Sequence, residues 1–260
     1  MAYQFITVER DGPVTLITLN RPEVMNALHS PMHFEMDAAL NAFAADPEQW
    51  VGIITGAGER AFSAGNDLKW QAGGGEMRAP PTGFAGLTSR FDLTKPLIAA
   101  VNGVAMGGGF EIALACDLIV ASEAAIFALP EPRVGLAALA GGLHRLPRAI
   151  GVKRAMGMIL TGRRVLAREG EALGFVNEVA APGDLMAAAR RWAGLICECG
   201  PMSIRASKAA VMRGLDEPSL EAAIKGQNRY EAVAALYASE DFVEGPLAFA
   251  QKRPPRWKGH

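Results

Sequence analysis

Short, continuously apolar runs alternate with helical patterns over residues 14–143 of this chain. Three of these runs, residues 51–55, 97–101 and 118–121, lack the polar–apolar alternation of a strand with one exposed face. Strands of this kind belong to sheets that are covered by helices on both faces. The pattern therefore predicts an α/β fold with a largely parallel sheet.

The two ends of the chain differ from this central pattern. Alternating segments at 5–9 and 14–20 flank Asp11-Gly12-Pro13, which predicts a hairpin. Ser30-Pro31 predicts a helix N-cap followed by proline in the first turn, and we expect that helix to reach residue 45. After residue 143 we expect one strand, at 175–179, and helices at 144–150, 152–161, 167–173, 184–198, 201–213, 219–237 and 241–252. We therefore divide the chain into an α/β core, residues 1–195, and a helical C-terminal region, residues 196–260.

Composition and charge argue against several classes of function. The chain has 260 residues, of which 50% are hydrophobic and 20% charged, and its net charge is −1. These values are typical of a soluble enzyme and unlike those of a nucleic-acid-binding protein. Its three cysteines predict no disulfide framework, so we expect a cytoplasmic protein. Residues 1–11 contain no apolar signal core, and no apolar run of about 18 residues occurs, so we expect no membrane partner.

Two glycine-containing loops follow predicted strands and suggest a site for a negatively charged oxygen. Gly107-Gly108-Gly109 opens a predicted helix, and residues 63–68 form a turn around Gly65. Glycine allows backbone N–H groups to approach a ligand closely, and a helix N-terminus adds unpaired N–H donors. Each loop alone is also explained as a simple strand-to-helix connection. Together they offer two main-chain donors, which is what a carbonyl oxygen clamp requires.

Two glutamates are the candidate acid–base groups. Glu111 follows the triple glycine, and Glu131 lies between two prolines twenty residues later. Glu111 is alternatively an acid that stabilises the helix dipole, and Glu131 an exposed turn residue. Both have apolar neighbours, however, where an uncompensated carboxylate is costly. A carboxylate in such surroundings has a raised pKa and is a candidate for proton transfer.

Three other motifs give weaker indications. His29 and His33 have the spacing of a helical metal site, but Pro31 separates them and no glutamate follows the first, so we expect no metal. Residues 56–61 match a dinucleotide-binding fingerprint, although no long helix opens at the second glycine. Ser63 lacks the preceding glycine of a serine-hydrolase nucleophile elbow. A Rossmann-type oxidoreductase therefore remains an alternative outside the leading class.

These motifs in this order resemble the crotonase (enoyl-CoA hydratase/isomerase) superfamily, and enoyl-CoA hydratases in particular. The resemblance covers nearly the whole chain. The segments that carry it are 19–22 with 26–28, 62–68, 102–117, 127–131, 141–147, 161–162 with 172–179, and 248–253. It implies the ClpP/crotonase-like fold, a spiral of ββα units, with a helical C-terminal region that forms trimers or hexamers built from two trimers.

The resemblance also implies roles for individual residues. The main-chain N–H groups of Asn66 and Gly108 are expected to form the oxyanion hole, with Glu111 and Glu131 as the catalytic acids and bases. Residues along the path of the adenine and pantetheine are expected to be Ala64, Asp67 and Leu68. Phe249 and Lys252 are expected to hold the CoA of their own or a neighbouring subunit. No cofactor is implied, because CoA is part of the substrate thioester.

The implied activity is that of an enoyl-CoA hydratase, which adds water reversibly across the double bond of a 2-enoyl-CoA. Another crotonase reaction, either double-bond isomerisation or dehydration of a hydroxyacyl-CoA such as carnitinyl-CoA, is the nearest alternative. A protein of another class, which binds acyl-CoA or RNA on the same scaffold without catalysis, is disfavoured by the two glutamates and by the net charge of −1.

Overall fold

The computed structural model describes residues 3–181 and 183–260 and contains two β-sheets surrounded by helices. The strands are β1 (Ile6–Asp11), β2 (Val14–Leu19), β3 (Val51–Gly56), β4 (Ala61–Ser63), β5 (Leu97–Val101), β6 (Val104–Met106), β7 (Leu118–Ser122), β8 (Ile126–Ala128), β9 (Val165–Leu166) and β10 (Glu178–Ala180). The helices are α1 (Ser30–Ala45), α2 (Leu68–Ala72), α3 (Gly108–Ala115), α4 (Gly142–Ile150), α5 (Val152–Thr161), α6 (Ala167–Leu173), α7 (Leu185–Cys197), α8 (Pro201–Gly214), α9 (Leu220–Gly226), α10 (Glu231–Ala238) and α11 (Glu240–Ala250). Short 3₁₀ turns lie at Pro22–Val24, Phe84–Gly86, Glu131–Val134 and Gln227–Arg229.

From β3 to β8, consecutive strands alternate between the two sheets. The larger sheet has the order β1-β2-β3-β5-β7-β10, and the smaller one has the order β4-β6-β8-β9. The chain therefore repeats a unit in which a strand of the large sheet is followed by a strand of the small sheet and then by a helix: β3-β4-α2 and then β5-β6-α3. Strands of successive units pair in parallel, whereas β1 and β2 form the predicted antiparallel hairpin. The α/β prediction is confirmed.

The central strands β3, β5 and β7 of the large sheet are covered on both faces, as their apolar sequences predict. Ile53, Ile98 and Val120 face α7, whose Ala189 packs among them. Side chains on the opposite face of the large sheet belong to the main core, together with side chains of the small sheet and of α1. Because helix side chains cover each face, strands without polar alternation are stable here.

Three local predictions are corrected by the structure. Two strands lie after residue 143, β9 and β10, where a single one was expected at 175–179, and β10 covers only Glu178–Ala180. Ser30 was expected to cap α1, but the N-cap is His29, and the Ser30 hydroxyl instead accepts a hydrogen bond from the Arg78 amide at 2.6 Å. The hydroxyl is thus engaged by a loop 48 residues away in sequence. The single helix expected at 219–237 is broken into α9 and α10, because Tyr230 takes an extended backbone conformation between them.

The C-terminal helices leave several large apolar side chains exposed. Among the described residues, no helix combines the length and the apolar character needed to span a bilayer. The exposed side chains on or beside α8 to α11 are Val211, Met212, Leu215, Leu220, Ile224, Tyr237, Phe242, Val243, Leu247 and Phe249.

The division of the chain at residue 195 stays a prediction, and this residue lies within α7.

Candidate active site

The two glycine-containing loops lie side by side at the carboxyl ends of neighbouring strands. β4 and β6 pair in parallel, with Ser63 opposite Ala105, so the loops that follow them leave the same edge of the small sheet. Gly65 is packed so tightly against the next loop that a Cβ atom there would lie 2.6 Å from the Met106 carbonyl oxygen and 2.9 Å from the Gly108 nitrogen. Its φ of +86° is also one that favours glycine.

The main-chain amides of Asn66 and Gly108 are both available at this junction. The Leu28 amide donates to the Gly65 carbonyl and the Asp67 amide donates to the Leu28 carbonyl, each at 2.8 Å. Because successive amides of an extended segment point in opposite directions, the Asn66 N–H points away from Leu28. Gly108 is the first residue of α3, whose first N–H groups have no partner within a helix. Within residues 3–181 and 183–260, neither amide donates to a protein acceptor.

Glu111 lies in the first turn of α3 and is only 3% exposed. Its Oε1 accepts a hydrogen bond from the Gly142 amide, the first of α4, at 2.8 Å. Burial raises the pKa of Glu111 to about 7, and the nearby Glu131 carboxylate adds to the increase. The hydrogen bond from Gly142 acts in the opposite direction. Glu111 therefore exchanges a proton near neutral pH.

Glu131 approaches the same region from the 3₁₀ turn that follows β8. Its Oε1 lies over Gly107, where an added Cβ atom would be 2.8 Å away. Its Oε2 is buried and has no hydrogen-bond partner among the described residues. Burial raises the pKa of this carboxyl group as well. The structure therefore brings Asn66, Gly108, Glu111 and Glu131 together, with one carboxylate oxygen unpaired.

The residues expected along the CoA path have mixed surroundings. Asp67 caps α2 by accepting from the Trp70 amide at 3.0 Å, and it forms a largely buried ion pair with Arg21 at 2.9 Å. Burial pushes the pKa of Asp67 upward, but the Trp70 amide and Arg21 outweigh it, and the pKa is lowered. Ala64 donates to the Met25 carbonyl, and Leu68 is 45% exposed.

Phe249 and Lys252 lie in the C-terminal helical region. Phe249 is on α11, which packs mainly against α8 and α10, and its side chain is 87% exposed. Lys252 follows the helix with a φ of +52°. A side chain as exposed as Phe249 contacts few atoms of its own chain.

The sequence profile of the enoyl-CoA hydratase/isomerase family matches residues 9–260. The chain belongs to this family. It is therefore an enzyme of the crotonase superfamily, and the resemblance described above is confirmed. A carnitinyl-CoA dehydratase from Salmonella arizonae is 45% identical over 261 residues, which cover 98% of each chain.

Solved structures of the family have the same fold. An enoyl-CoA hydratase from Mycobacterium tuberculosis H37Rv superimposes with a TM-score of 0.92 at 38% identity, covering 98% of this chain and 99% of that one. A carnitinyl-CoA hydratase from Mycobacterium avium gives a TM-score of 0.79 at 41% identity, with both chains fully covered. The crotonase-like fold predicted from the sequence is thus confirmed.

The family site contains an aromatic residue that sequence reasoning missed. The Phe84 ring packs against Gly108, so that a Cβ atom added there would lie 2.5 Å from its Cζ. The ring is held edge-on against His33 with a centroid distance of 4.4 Å, and His33 Nδ1 accepts from the Ala85 amide at 2.9 Å. Burial lowers the pKa of His33 to about 4, so the imidazole is a neutral acceptor. The only indication of this ring in the sequence is that an aromatic residue occurs within a glycine- and proline-rich segment.

The weaker motifs have structural explanations. His33 supports the Phe84 segment, and His29 packs edge-on between Phe5 and Trp70. No group of three or more potential metal ligands is found among the described residues. The glycines at 56–58 lead into β4 rather than into a long helix, which is not the geometry of a dinucleotide-binding turn.

Proposed function

We propose that this enzyme catalyses the reversible addition of water across the 2,3 double bond of a 2-enoyl-CoA thioester. The observation that carries the proposal is the pairing of the buried Glu111 carboxylate with the half-buried Glu131 carboxylate, beside two main-chain amides that have no acceptor in the described chain. Hydration needs these parts because charge moves onto the thioester oxygen while one proton leaves water and another joins carbon.

The amides of Asn66 and Gly108 are proposed to hold the thioester carbonyl oxygen. As the water oxygen bonds to C3, electrons move through C2 and the carbonyl carbon onto that oxygen, giving an enolate-like transition state. Loss of one such donor typically costs about 3 kcal/mol, or roughly 10²–10³ in rate. The Asn66 side chain is not required for this role, and its Nδ2 donates to Gln71 Oε1 at 3.1 Å.

Glu111 is proposed to accept the proton of the attacking water, and Glu131 to deliver a proton to C2. A pKa of about 7 suits Glu111 to act as a base at neutral pH, since it is ionised yet basic enough to take the proton. The raised pKa of Glu131 favours the protonated form that an acid needs. In the dehydration direction the two residues exchange roles, so that atoms and protons balance in both directions.

The acyl-CoA is proposed to bind along Ala64, Asp67 and Leu68, with no further cofactor. In this proposal Phe249 and Lys252 hold CoA across a subunit contact, because Phe249 is too exposed to serve its own chain alone. The exposed apolar side chains of the C-terminal helices support a homotrimer or a dimer of trimers. We further propose a cytoplasmic enzyme without nucleic-acid or membrane partners, in keeping with its net charge of −1.

A second candidate is the same chemistry on a particular acyl group, namely dehydration of carnitinyl-CoA. It is favoured by the 45% identity to the Salmonella arizonae carnitinyl-CoA dehydratase, compared with 38% to the Mycobacterium tuberculosis enoyl-CoA hydratase. Carnitinyl-CoA is a 3-hydroxyacyl-CoA, so its dehydration uses the same oxyanion hole and carboxylate pair. The acyl groups of the two candidate reactions differ only in the substituent at C4.

The test is turnover of crotonyl-CoA and of crotonobetainyl-CoA by the purified protein in ¹⁸O-labelled water. Hydration predicts incorporation of ¹⁸O at C3, whereas double-bond isomerisation incorporates none. The variants Glu111→Gln and Glu131→Gln should each lose at least about 10²-fold in kcat, since each removes a proton-transfer step. Glu9→Gln, at an exposed position on β1, serves as the matched control. Full activity in both active-site variants would exclude the mechanism, and the ratio of the two kcat/KM values would decide the acyl group.

A further inference from the structure

Arg145 on α4 has a half-buried guanidinium group that forms no ion pair in the part of the chain described. Its Nη2 donates to the Thr88 carbonyl at 2.9 Å, and its Cζ lies 5.9 Å from the centre of the Phe91 ring. Its Nη1 covers Gly141 so closely that a Cβ atom there would be 2.2 Å away. Partly buried arginine is costly without a carboxylate partner, so its retention here calls for a reason beyond packing.

The turn that this guanidinium covers is the one that holds Glu111. The Gly141 carbonyl accepts from the Arg145 amide at 2.8 Å, which closes the first turn of α4. The next residue, Gly142, donates its amide to Glu111 Oε1 at 2.8 Å. Arg145 therefore ties the Gly141–Gly142 backbone to the Thr88 segment and lies on the same side of the site as the Glu111 carboxylate.

We propose that Arg145 is a positioning residue for Glu111: it fixes the Gly142 amide on the carboxylate and contributes a positive charge that favours the ionised form. This inference rests on the proposed function, in which Glu111 acts as the base for water. It adds a residue that does not touch the substrate but acts through one that does.

The charges around Glu111 are consistent with this role. Two charged groups face Glu111, namely Glu131 from the 3₁₀ turn and Arg145 from α4. Burial and Glu131 raise the pKa of Glu111, whereas the Gly142 and Ala140 amides and Arg145 lower it. Arg145 is therefore the only charged side chain among these that favours the ionised carboxylate.

Two other groups face Arg145 itself. Burial raises the pKa of the Cys116 thiol, so Cys116 stays neutral beside the guanidinium. Arg148 lies one turn further along α4 and repels Arg145 slightly. Neither residue can replace Arg145, because one is uncharged and the other is exposed and donates to the His144 carbonyl.

The experiment is a titration of Glu111 in the full-length protein by ¹³C NMR, with glutamate labelled at the side-chain carboxyl carbon. The Glu111 resonance is identified by its loss in E111Q. In Arg145→Met the midpoint should rise above that of the wild type and of Arg145→Lys, because the positive charge that lowers the pKa of Glu111 has been removed. Arg145→Lys keeps the charge and should titrate within a few tenths of a unit of the wild type. Arg148→Met, on the exposed side of the same helix, is the matched control and should show no shift.

Activity provides a second readout. The acidic limb of the pH profile of kcat/KM should move upward in Arg145→Met by the same amount and return in Arg145→Lys, which a purely structural defect would not produce. If Arg145→Met does not fold, Arg145→Gln removes the charge with a side chain still able to donate to Thr88, and the same shift is expected. An unshifted Glu111 midpoint in the charge-removing variant would overturn the inference. A wild type that hydrates no enoyl-CoA would instead refute the proposed function, while the titration would still decide the role of Arg145.

Discussion

Substitution of Gly65 by alanine tests whether the two loops must touch for the site to work. The new Cβ atom would lie 2.6 Å from the Met106 carbonyl oxygen and 2.9 Å from the Gly108 nitrogen, where ordinary contact begins at 3.4 Å. Both contacts are backbone atoms, which cannot rotate away as the end of a side chain can. The loops must therefore separate by about 0.8 Å, the difference between 3.4 and 2.6 Å.

This separation falls directly between the two proposed oxyanion donors. A shift of about 1 Å in a reacting group is enough to cost roughly 10²-fold in rate, and complete loss of one donor costs roughly 10²–10³. We therefore expect kcat of Gly65→Ala on crotonyl-CoA to fall about 10²-fold, measured from the loss of absorbance of the conjugated thioester. An alanine at a φ of +86° also costs stability, on the order of 1 kcal/mol, which chemical denaturation measures.

The control separates backbone strain from damage to the site. Gly174 ends α6 with a φ of +101°, and a Cβ atom there would meet nothing within 4 Å. Gly174→Ala should lose a similar amount of stability but keep its kcat. If Gly65→Ala retains the kcat of Gly174→Ala, the amides of Asn66 and Gly108 are not the pair that stabilises the transition state.

Three further substitutions probe the surroundings of the site. Gly142→Ala would place a Cβ atom 3.0 Å from Glu111 Oε1, and by displacing that carboxylate it should lower kcat roughly 10-fold with little change in KM. Phe84→Ala removes the ring beside Gly108, so the ratio of kcat/KM for a 2-octenoyl to that for a crotonyl thioester should rise by about 10-fold; an unchanged ratio would mean that Phe84 does not limit the acyl chain. The pKa of Glu111 is raised from 4.5 to about 7 in the folded protein. The contribution of this carboxyl group to stability is therefore fully present below pH 4.5 and is lost as the pH rises through 7. E111Q should therefore match the wild type in free energy of unfolding at pH 4 but exceed it by on the order of 3 kcal/mol at pH 8, and equal stabilities at pH 8 would show that Glu111 is not held in a desolvated state.

Most strands of the large sheet, most helices and the two loops could be predicted because each depends on residues close together in sequence. The short strands β4, β6 and β9 of the small sheet were not predicted. Apolar runs of five residues mark strands that are covered on both faces, and glycines mark the places where the backbone turns. The proximity of Glu111 and Glu131 could also be predicted, since each follows a strand and the fold places those two strands in neighbouring units. The order of the motifs along the chain indicated the family, which no single loop identifies.

The remaining features depend on contacts between distant segments, which no local pattern records. The Gly142 amide reaches Glu111 across 31 residues, and Ala85 donates to His33 across 52. Serine is a residue type that often caps helices, but the Ser30 hydroxyl accepts a hydrogen bond from the Arg78 amide instead. In each case the partner is a backbone amide, which every residue except proline possesses, so the sequence contains no mark of the choice.

The two carboxylates form an unequal pair in which one proton is the favourable count. Burial raises the pKa of both carboxyl groups, and the Glu131 carboxylate adds to the increase at Glu111, so a singly protonated pair avoids the cost of ionising both. Hydration and dehydration both begin with one acid and one base, so this singly protonated state is the one that either direction needs. The unpaired Glu131 Oε2 and the amide-bound Glu111 Oε1 also make the two groups unequal. In the proposed mechanism, the orientation of the bound thioester selects which carboxylate gives the proton and which receives it.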